Sequence, residues 1–305
     1  MTDHCESPAV LNLPVDESLP FVTYGALRPG EPAYNQISRY VETVEDISIP
    51  GSLYVRDGLP LLKLATTQGC NKVPGYIINF RKRDHRKAYE TICRFEPRGH
   101  YEWKMLPLER GSDANVLVGV LPDQGSESAE DLPWSSLRDP VFEHGLPFIR
   151  SVAKASAQSQ FKPVPSDYFE WERFFRLQMA YLLLWSAVER FCSLAYGPAR
   201  NPMSKLQKMA QDRRIAEVIR AQVVRSDEVL DVRDPTKRYY LDGAHPEECI
   251  FYYYQVRNNL SHRGKGAWRD GEKVRLALKE LLEIFDAFLS SYRSDAQGQA
   301  NARMP

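Results

Sequence analysis

The sequence predicts an α+β protein, with a small mixed β-barrel-like N-terminal domain followed by an all-α helical bundle. Three observations carry that expectation. Short strand-like runs recur before residue 122, broken by Pro, Gly and Asp and gathered around one basic amphipathic helix. Beyond residue 166 the hydrophobic period lengthens to that of helices. Between them lies SAQSQFKPVPS, residues 156–166, whose Ser, Gln and Pro neither pack nor propagate a helix. A chain of 305 residues accommodates two domains. The expected organisation is a flexible segment 1–19, a first domain 20–157, a linker 158–166, a bundle 167–294 and a loose tail 295–305.

In chain order, residues 21–24 read as a short strand ended by the loop Gly25-Ala26-Leu27-Arg28-Pro29-Gly30. Gly25 and Gly30 permit dihedrals that other residues avoid, so backbone N–H groups there can face an anion; an ordinary strand turn with one exposed Arg has the same letters. Strands are expected at 47–54, 59–63, 73–80, 101–108 and 114–121, with a helix at 81–93 whose apolar side is Ala88, Tyr89 and Ile92. Residues 122–135 form a polar excursion, and 140–157 a helix assigned to the first domain. A long helix then runs from a Ser166 or Asp167 cap to Tyr196, where Gly197-Pro198 stops it. A second helix spans 203–222, an irregular charged connection 225–245, and a third helix starts at Pro246-Glu247-Glu248, with proline and early acids where free N–H groups favour them. A last amphipathic helix covers 272–292.

Forty basic residues balance forty acidic ones, so any nucleic-acid site must be a local patch. Cys5, Cys70, Cys93, Cys192 and Cys249 are dispersed without a CxxC pair, which argues for a reducing compartment and against structural zinc. The opening MTDHCESPAVLNLP lacks the basic flank and apolar core of a signal peptide, and no apolar run is long enough to span a bilayer. A cytoplasmic protein is expected. No Gly-rich nucleotide loop or carboxylate cluster is present, so neither cofactor nor metal is expected.

The stretch CIFYYYQVRNNLSHRGKG, residues 249–266, concentrates the chemistry. Arg257 and His262 are five positions apart, about 500° of helical rotation, so their side chains diverge by roughly 140°. A permanent cation beside an imidazole titrating near neutrality suits phosphodiester chemistry; a salt-bridging Arg and an incidental surface His have the same spelling. With its Arg257, Asn258 and His262 on the third major helix, and with Glu189 in LLLWSAVERF on the first, the second half resembles the HEPN family, in particular forms tied to toxins and anti-phage defence. The resemblance implies a homodimer whose composite site cuts single-stranded RNA without metal, leaving a 2′,3′-cyclic phosphate. On that reading His262 moves the protons, Arg257 holds the scissile phosphate, Asn258 and Glu189 position them, and Arg263, Lys265 and Arg269 contact the RNA backbone.

The first half resembles the gamma-glutamylcyclotransferase-like, or AIG2-like, family. Its Tyr-Gly-Thr-Leu-Arg-x-Gly loop matches Tyr24, Gly25, Ala26, Leu27, Arg28 and Gly30; Gly51, Leu53 and Tyr54 match a Gly-x-Leu-Tyr segment; Ile92, Cys93, Glu96 and Pro97 match Leu-Asp-x-x-Glu-Gly, followed by Tyr101. The resemblance implies that Glu96 is the acid/base when the α-amine of a γ-glutamyl group attacks its own side-chain carbonyl and releases 5-oxoproline. The loop at Gly25 to Leu27 would grip the substrate carboxylate and Tyr101 would close the pocket. Three departures stand out: Ala26 lacks a hydroxyl, Cys93 lacks an acid, and Pro97 lacks flexibility and an N–H just after Glu96.

The leading expectation is therefore a metal-independent endoribonuclease acting on single-stranded RNA in a toxin or defence system, with a first domain that senses, modifies or restrains it and an antitoxin or defence-complex partner. The alternatives are a cyclotransferase for γ-glutamyl amines or peptides with a dimerising bundle, and a non-catalytic nucleotide- or RNA-binding protein.

Overall fold

A computed structural model describes residues 11–56, 58–65, 71–97, 99–108, 111–128, 134–136, 139–157, 168–197, 202–262 and 270–301. By compactness the chain divides into Met1–Arg138 with Ala296–Pro305, and Asp139–Asp295.

In the first unit a short strand β1 (Phe21–Thr23) is followed by a single helical turn α1 (Asn35–Ser38), then β2 (Val41–Arg56), β3 (Leu59–Leu64), β4 (Lys72–Phe80), helix α2 (His85–Phe95), β5 (Tyr101–Pro107), β6 (Asp113–Gly119) and β7 (Glu127–Ser128). The strands form one seven-stranded sheet, ordered β3-β2-β4-β1-β6-β5 with β7 on β2, curled into a nearly closed barrel. β1 pairs antiparallel with β4 and parallel with β6. Curvature comes from β2, which pairs with β4 as far as Pro50 and with β3 from Gly51 onward. Tyr101 on β5 closes the opposite edge, donating its hydroxyl to the Pro60 carbonyl of β3 at 2.9 Å.

Alternation along β1 divides the core in two. Phe21 packs with Tyr89 and Ile92 of α2 on one face of the sheet, whereas Val22 packs with Val116, Val118 and Trp134 on the other. α2 buries Ala88, Tyr89, Ile92 and Cys93, as its periodicity predicts. The lead-in departs from expectation: residues 11–19 are not loose. The Asn12 carbonyl accepts from the Trp103 indole at 2.7 Å and the Cys93 thiol at 3.2 Å, Asp16 O accepts from Asn115, and Leu19 O accepts from Tyr89. Backbone carbonyls strap this segment onto the unit, and Leu11 is buried.

The second unit begins with a wide turn at Val141–Gly145 and α3 (Leu146–Ser156), then α4 (Tyr168–Tyr196), α5 (Pro202–Ala210), α6 (Arg213–Gln222), β8 (Asp227–Leu230), β9 (Arg238–Leu241), α7 (Pro246–His262) and α8 (Gly271–Asn301). It is helical but not all-α, because β8 and β9 pair antiparallel within the connection expected to be irregular. α3 belongs here rather than to the first domain. Asp139, just before its leading turn, pairs with Arg190 of α4 at 2.8 Å, and Arg150 pairs with Asp286 of α8 at 2.6 Å. Phe174, Leu177, Tyr181, Leu184 and Trp185 of α4 are buried, and Phe191 meets Phe288 edge-on. α8 continues to Asn301, past the expected tail boundary. Among the described residues, no helix is long and apolar enough to cross a membrane.

The helix expected at 203–222 is two helices. Asp212 sits between them in extended conformation and caps α6, accepting from the Arg214 N–H at 3.0 Å while its other oxygen accepts from the Tyr196 hydroxyl at 2.9 Å. Asp212→Ala is expected to destabilise the second unit by about 1–2 kcal/mol, read as a lower urea midpoint at unchanged m-value.

Candidate functional site

In the first unit the end of α2 delivers Glu96. α2 stops at Phe95 because Glu96 precedes Pro97, and the proline ring disfavours helical geometry in the residue before it. Glu96 accordingly takes φ −82° and ψ 131°, extended, as the helix cap. Part of its surface stays open, yet protein crowds its carboxyl enough that burial pushes its pKa up to about 8. Two tyrosines feel that carboxylate. Tyr24 is buried, donates to the Leu117 carbonyl at 2.9 Å and accepts from the Leu62 N–H at 3.2 Å; burial first, then the charge on Glu96, raises its pKa. Tyr101 is raised by burial and next by Glu96, with Arg56 acting in the opposite sense. Tyr101 lies five positions after Glu96, but Tyr24 is far from both in sequence; the barrel brings all three into one electrostatic neighbourhood.

The loop after β1 is built for close approach. A Cβ on Gly25 would meet Pro60 Cγ at 2.8 Å, so glycine is needed there for space, whereas Gly30 adopts φ 94°, which favours glycine for conformational reasons. Arg28 N–H donates to Gly25 O, and Glu31 N–H to Arg28 O, closing two successive turns. Ala26 is half-buried and packs against both core clusters; Leu27 is buried. Arg28 pairs with buried Glu31 at 3.2 Å, and the other Glu31 oxygen accepts from both the N–H and the hydroxyl of Ser136. Sequence reasoning singled out neither Glu31 nor Ser136. A glutamate three residues after the loop arginine is the one local sign of the first, and no local sign points to the second.

Cys93 and Pro97, singled out in the sequence, acquire a physical setting. Cys93 faces the lead-in strap, donating to Asn12 O, and burial pushes its thiol up to about 11, so it is a neutral packing group. Pro97 sets the extended turn that ends α2.

In the second unit α7 carries Arg257 and Asn258, and α4 carries Glu189. The Arg257 guanidinium lies 3.7 Å from a Glu189 carboxylate oxygen, an ion-pair distance too long for a hydrogen bond. Its other end donates to the Asn258 side chain at 3.3 Å, and its centre sits 5.6 Å from the Tyr254 ring. Both Arg257 Nε and that Glu189 oxygen are buried without a hydrogen-bond partner among the described residues. The pair is thus positioned with donor capacity unused. Asn259, next in the motif, is structural: its amide donates to Leu230 O and accepts from Val232 N–H and Gln255, tying α7 to the β8–β9 hairpin. The backbone of His262 closes α7; its side chain, with Arg263, Lys265 and Arg269, lies outside the described residues.

Behind α7, Arg225 bridges Glu280 at 2.5 Å and Asp227 at 2.8 Å, and Tyr252 donates to Asp227 at 2.6 Å. Burial opposes the Asp227 charge, but the bonds from Tyr252 and Arg225 prevail and bring its pKa to about 2. A cavity of about 300 Å³ opens beside this network, lined by Asp227, Leu230, Val256, Asn259, Lys273 and Val274 among others, with Arg257 and Asn258 outside it.

No protein-family model matches the chain, and no curated protein matches it. Among solved structures, the crystal structure of the K. lactis urea amidolyase is similar to 46% of this chain at 12% identity and a TM-score of 0.32, and the matched part spans 10% of that protein. A likeness of that degree decides neither fold family nor activity, so the functional reading below stands on the residues themselves.

Proposed function

We propose that the first unit is an acid–base site for γ-glutamyl compounds, working as gamma-glutamylcyclotransferases do, with Glu96 as the proton carrier. The observation that supports it is a single carboxyl whose burial raises its pKa to about 8 beside Tyr24 and Tyr101. A base serves best when its pKa lies near the working pH. Glu96 takes a proton from the substrate α-ammonium; the freed amine attacks the γ-carbonyl, forming the ring C–N bond. Glu96 then returns the proton to the departing nitrogen as the original amide C–N bond breaks, and the ring nitrogen's second proton passes to the released amine, yielding 5-oxoproline and an alkylammonium ion. The loop amides from Gly25 to Leu27 hold the substrate carboxylate, and Tyr101 bounds the pocket. Because the free enzyme must present ionised Glu96, kcat/KM for a γ-glutamyl dipeptide should climb with pH and level off above about 8. A profile flat from pH 6 to 9 would remove Glu96 from the role of base.

A second reading concerns the second unit and is favoured by Arg257, held beside Glu189 with an unused buried donor. There, a homodimeric HEPN-like site cleaves single-stranded RNA: the ribose 2′-oxygen attacks phosphorus, the 5′-oxygen leaves, and a 2′,3′-cyclic phosphate remains. Arg257 neutralises the phosphate, Glu189 and Asn258 orient Arg257, and His262 transfers the protons, with Arg263, Lys265 and Arg269 on the RNA backbone. The two readings combine in one chain, with a γ-glutamyl-processing unit that senses, modifies or restrains an RNA-cutting unit in a toxin or anti-phage setting.

A further inference from the structure

The first half of α4 turns large apolar side chains in two directions. Phe174, Leu177, Tyr181 and Leu184 are buried within the second unit. On another face Tyr168, Trp171, Phe175, Met179 and Leu182 are 75%, 37%, 52%, 63% and 36% exposed. Trp171 touches buried Phe174 edge-on, but the outward set leaves much of its apolar surface uncovered. Tyr168, Phe175 and Leu182 recur every seven residues with Trp171 between them, the spacing of a seam along which one helix meets another lengthwise. A contiguous exposed apolar stripe with a charged border marks an interaction surface.

We propose that this stripe is a self-association surface on which α4 of a second copy of the chain packs antiparallel, about a two-fold axis near Phe175. The argument for a second copy is complementarity of the stripe with itself. Reversed about Phe175, Tyr168 comes opposite Leu182 and Trp171 opposite Met179, so the bulky aromatic end meets the slimmer aliphatic end. The flanking charges follow the same rule. Glu172 and Arg176 straddle Phe175 and now pair within one helix at 2.9 Å, with Arg176 69% exposed. An antiparallel copy keeps this flank of both helices on one side of the seam and brings each Glu172 within reach of Arg176 on the other helix, whereas a parallel two-fold copy would put the two Glu172–Arg176 pairs on opposite flanks, out of each other's reach. An isologous contact of this kind closes into a symmetric pair. Phe175 and Glu189 are fourteen positions apart, about 21 Å along the helix, so the two Glu189 side chains would stand roughly 40 Å apart. The contact is therefore separate from any dimer that joins two Arg257 residues, and it does not depend on either proposed activity.

The test uses the full chain with Cys5 and Cys70 changed to Ser and a single new thiol, either Phe175→Cys or, as control, Glu217→Cys, whose position is 56% exposed on α6. A short bis-maleimide should join Phe175→Cys into covalent dimers and leave Glu217→Cys monomeric. In that background, Glu172→Arg or Arg176→Glu alone should cut the yield by roughly tenfold, and the double exchange should restore it. Because Phe175→Cys itself trims the seam, sedimentation of the unmodified chain and of Phe175→Glu provides the second measurement, with weaker association expected in the variant. A yield no higher than the control, one indifferent to charge exchange, or association unaffected by Phe175→Glu would each overturn the proposal.

Discussion

Glu96→Gln is expected to abolish 5-oxoproline release, by about 10²–10⁴-fold, while making the first unit more stable at pH 8. The two effects share one cause. Burial raises the Glu96 pKa from 4.5 to about 8, so between those values the folded chain holds a proton that the unfolded chain has released. Stability from this group is complete below pH 4.5, declines as pH rises, and is gone above about 8. Glutamine keeps the shape and cannot ionise, so the variant should match wild type near pH 4 and exceed it at pH 8 by roughly 1–3 kcal/mol, a range that allows for solvent reaching the carboxyl. Thermal melts at the two pH values, beside an assay for 5-oxoproline, separate the possibilities. A buried glutamate without a catalytic role would show the same stabilisation growing with pH but leave turnover intact, and a solvated one would show no such growth.

His262→Ala is expected to remove cleavage of single-stranded RNA by about 10²–10⁴-fold in the presence of EDTA, with the fold retained. The expectation draws on what surrounds its neighbour. Arg257 is fixed by Glu189, Asn258 and the Tyr254 ring, so a phosphate entering there meets a guanidinium that has little side-chain freedom left to lose. Arg257→Lys keeps the charge but not the planar fork, and should lose most of the activity as well. Cyclic-phosphate ends in the wild-type digest, absent with His262→Ala, would identify the chemistry. Equal cleavage by wild type and His262→Ala would assign the activity to another site.

Much of the architecture was legible in the sequence because the segments concerned have one dominant local cause. Gly197 ends α4, Pro246 opens α7, and the apolar side of α2 is the side that is buried; on α4 Phe174, Leu177, Val188 and Phe191 are buried whereas Met179 and Leu182, apolar positions of the same helix, are exposed. What was not legible depends on groups that letters do not encode. The strap at 11–19 is held by carbonyls of Asn12, Asp16 and Leu19, which any residue would supply, so polar composition alone reads as slack. The β8–β9 hairpin has strands of four residues whose charges look like surface until Arg225, Asp227 and Glu280 are found paired across three elements. α5 and α6 bury apolar sides toward one core, so their joint pattern reads as a single helix, interrupted only by the Asp212 cap. For α3, periodicity established that it packs and not against what; Asp139 and Arg150 decide that. The pairing of Glu189 with Arg257 was implied by the family resemblance and not by helix periodicity, whereas the raised pKa of Glu96 depends on the burial that the fold imposes.

The sequence ranks the RNA-cutting unit first because its motif is intact. The geometry carries Glu96 further, since burial holds its carboxyl pKa up at about 8 where its charge is felt by Tyr24 and Tyr101. The central claim is therefore best tested by incubating the full chain with a panel of γ-glutamyl dipeptides and γ-glutamyl amines at pH 8 and measuring 5-oxoproline by chromatography. Catalytic release from at least one of these substrates, absent in Glu96→Gln, is the predicted result. No release above the uncatalysed rate from any of them, or equal release by Glu96→Gln, would contradict it.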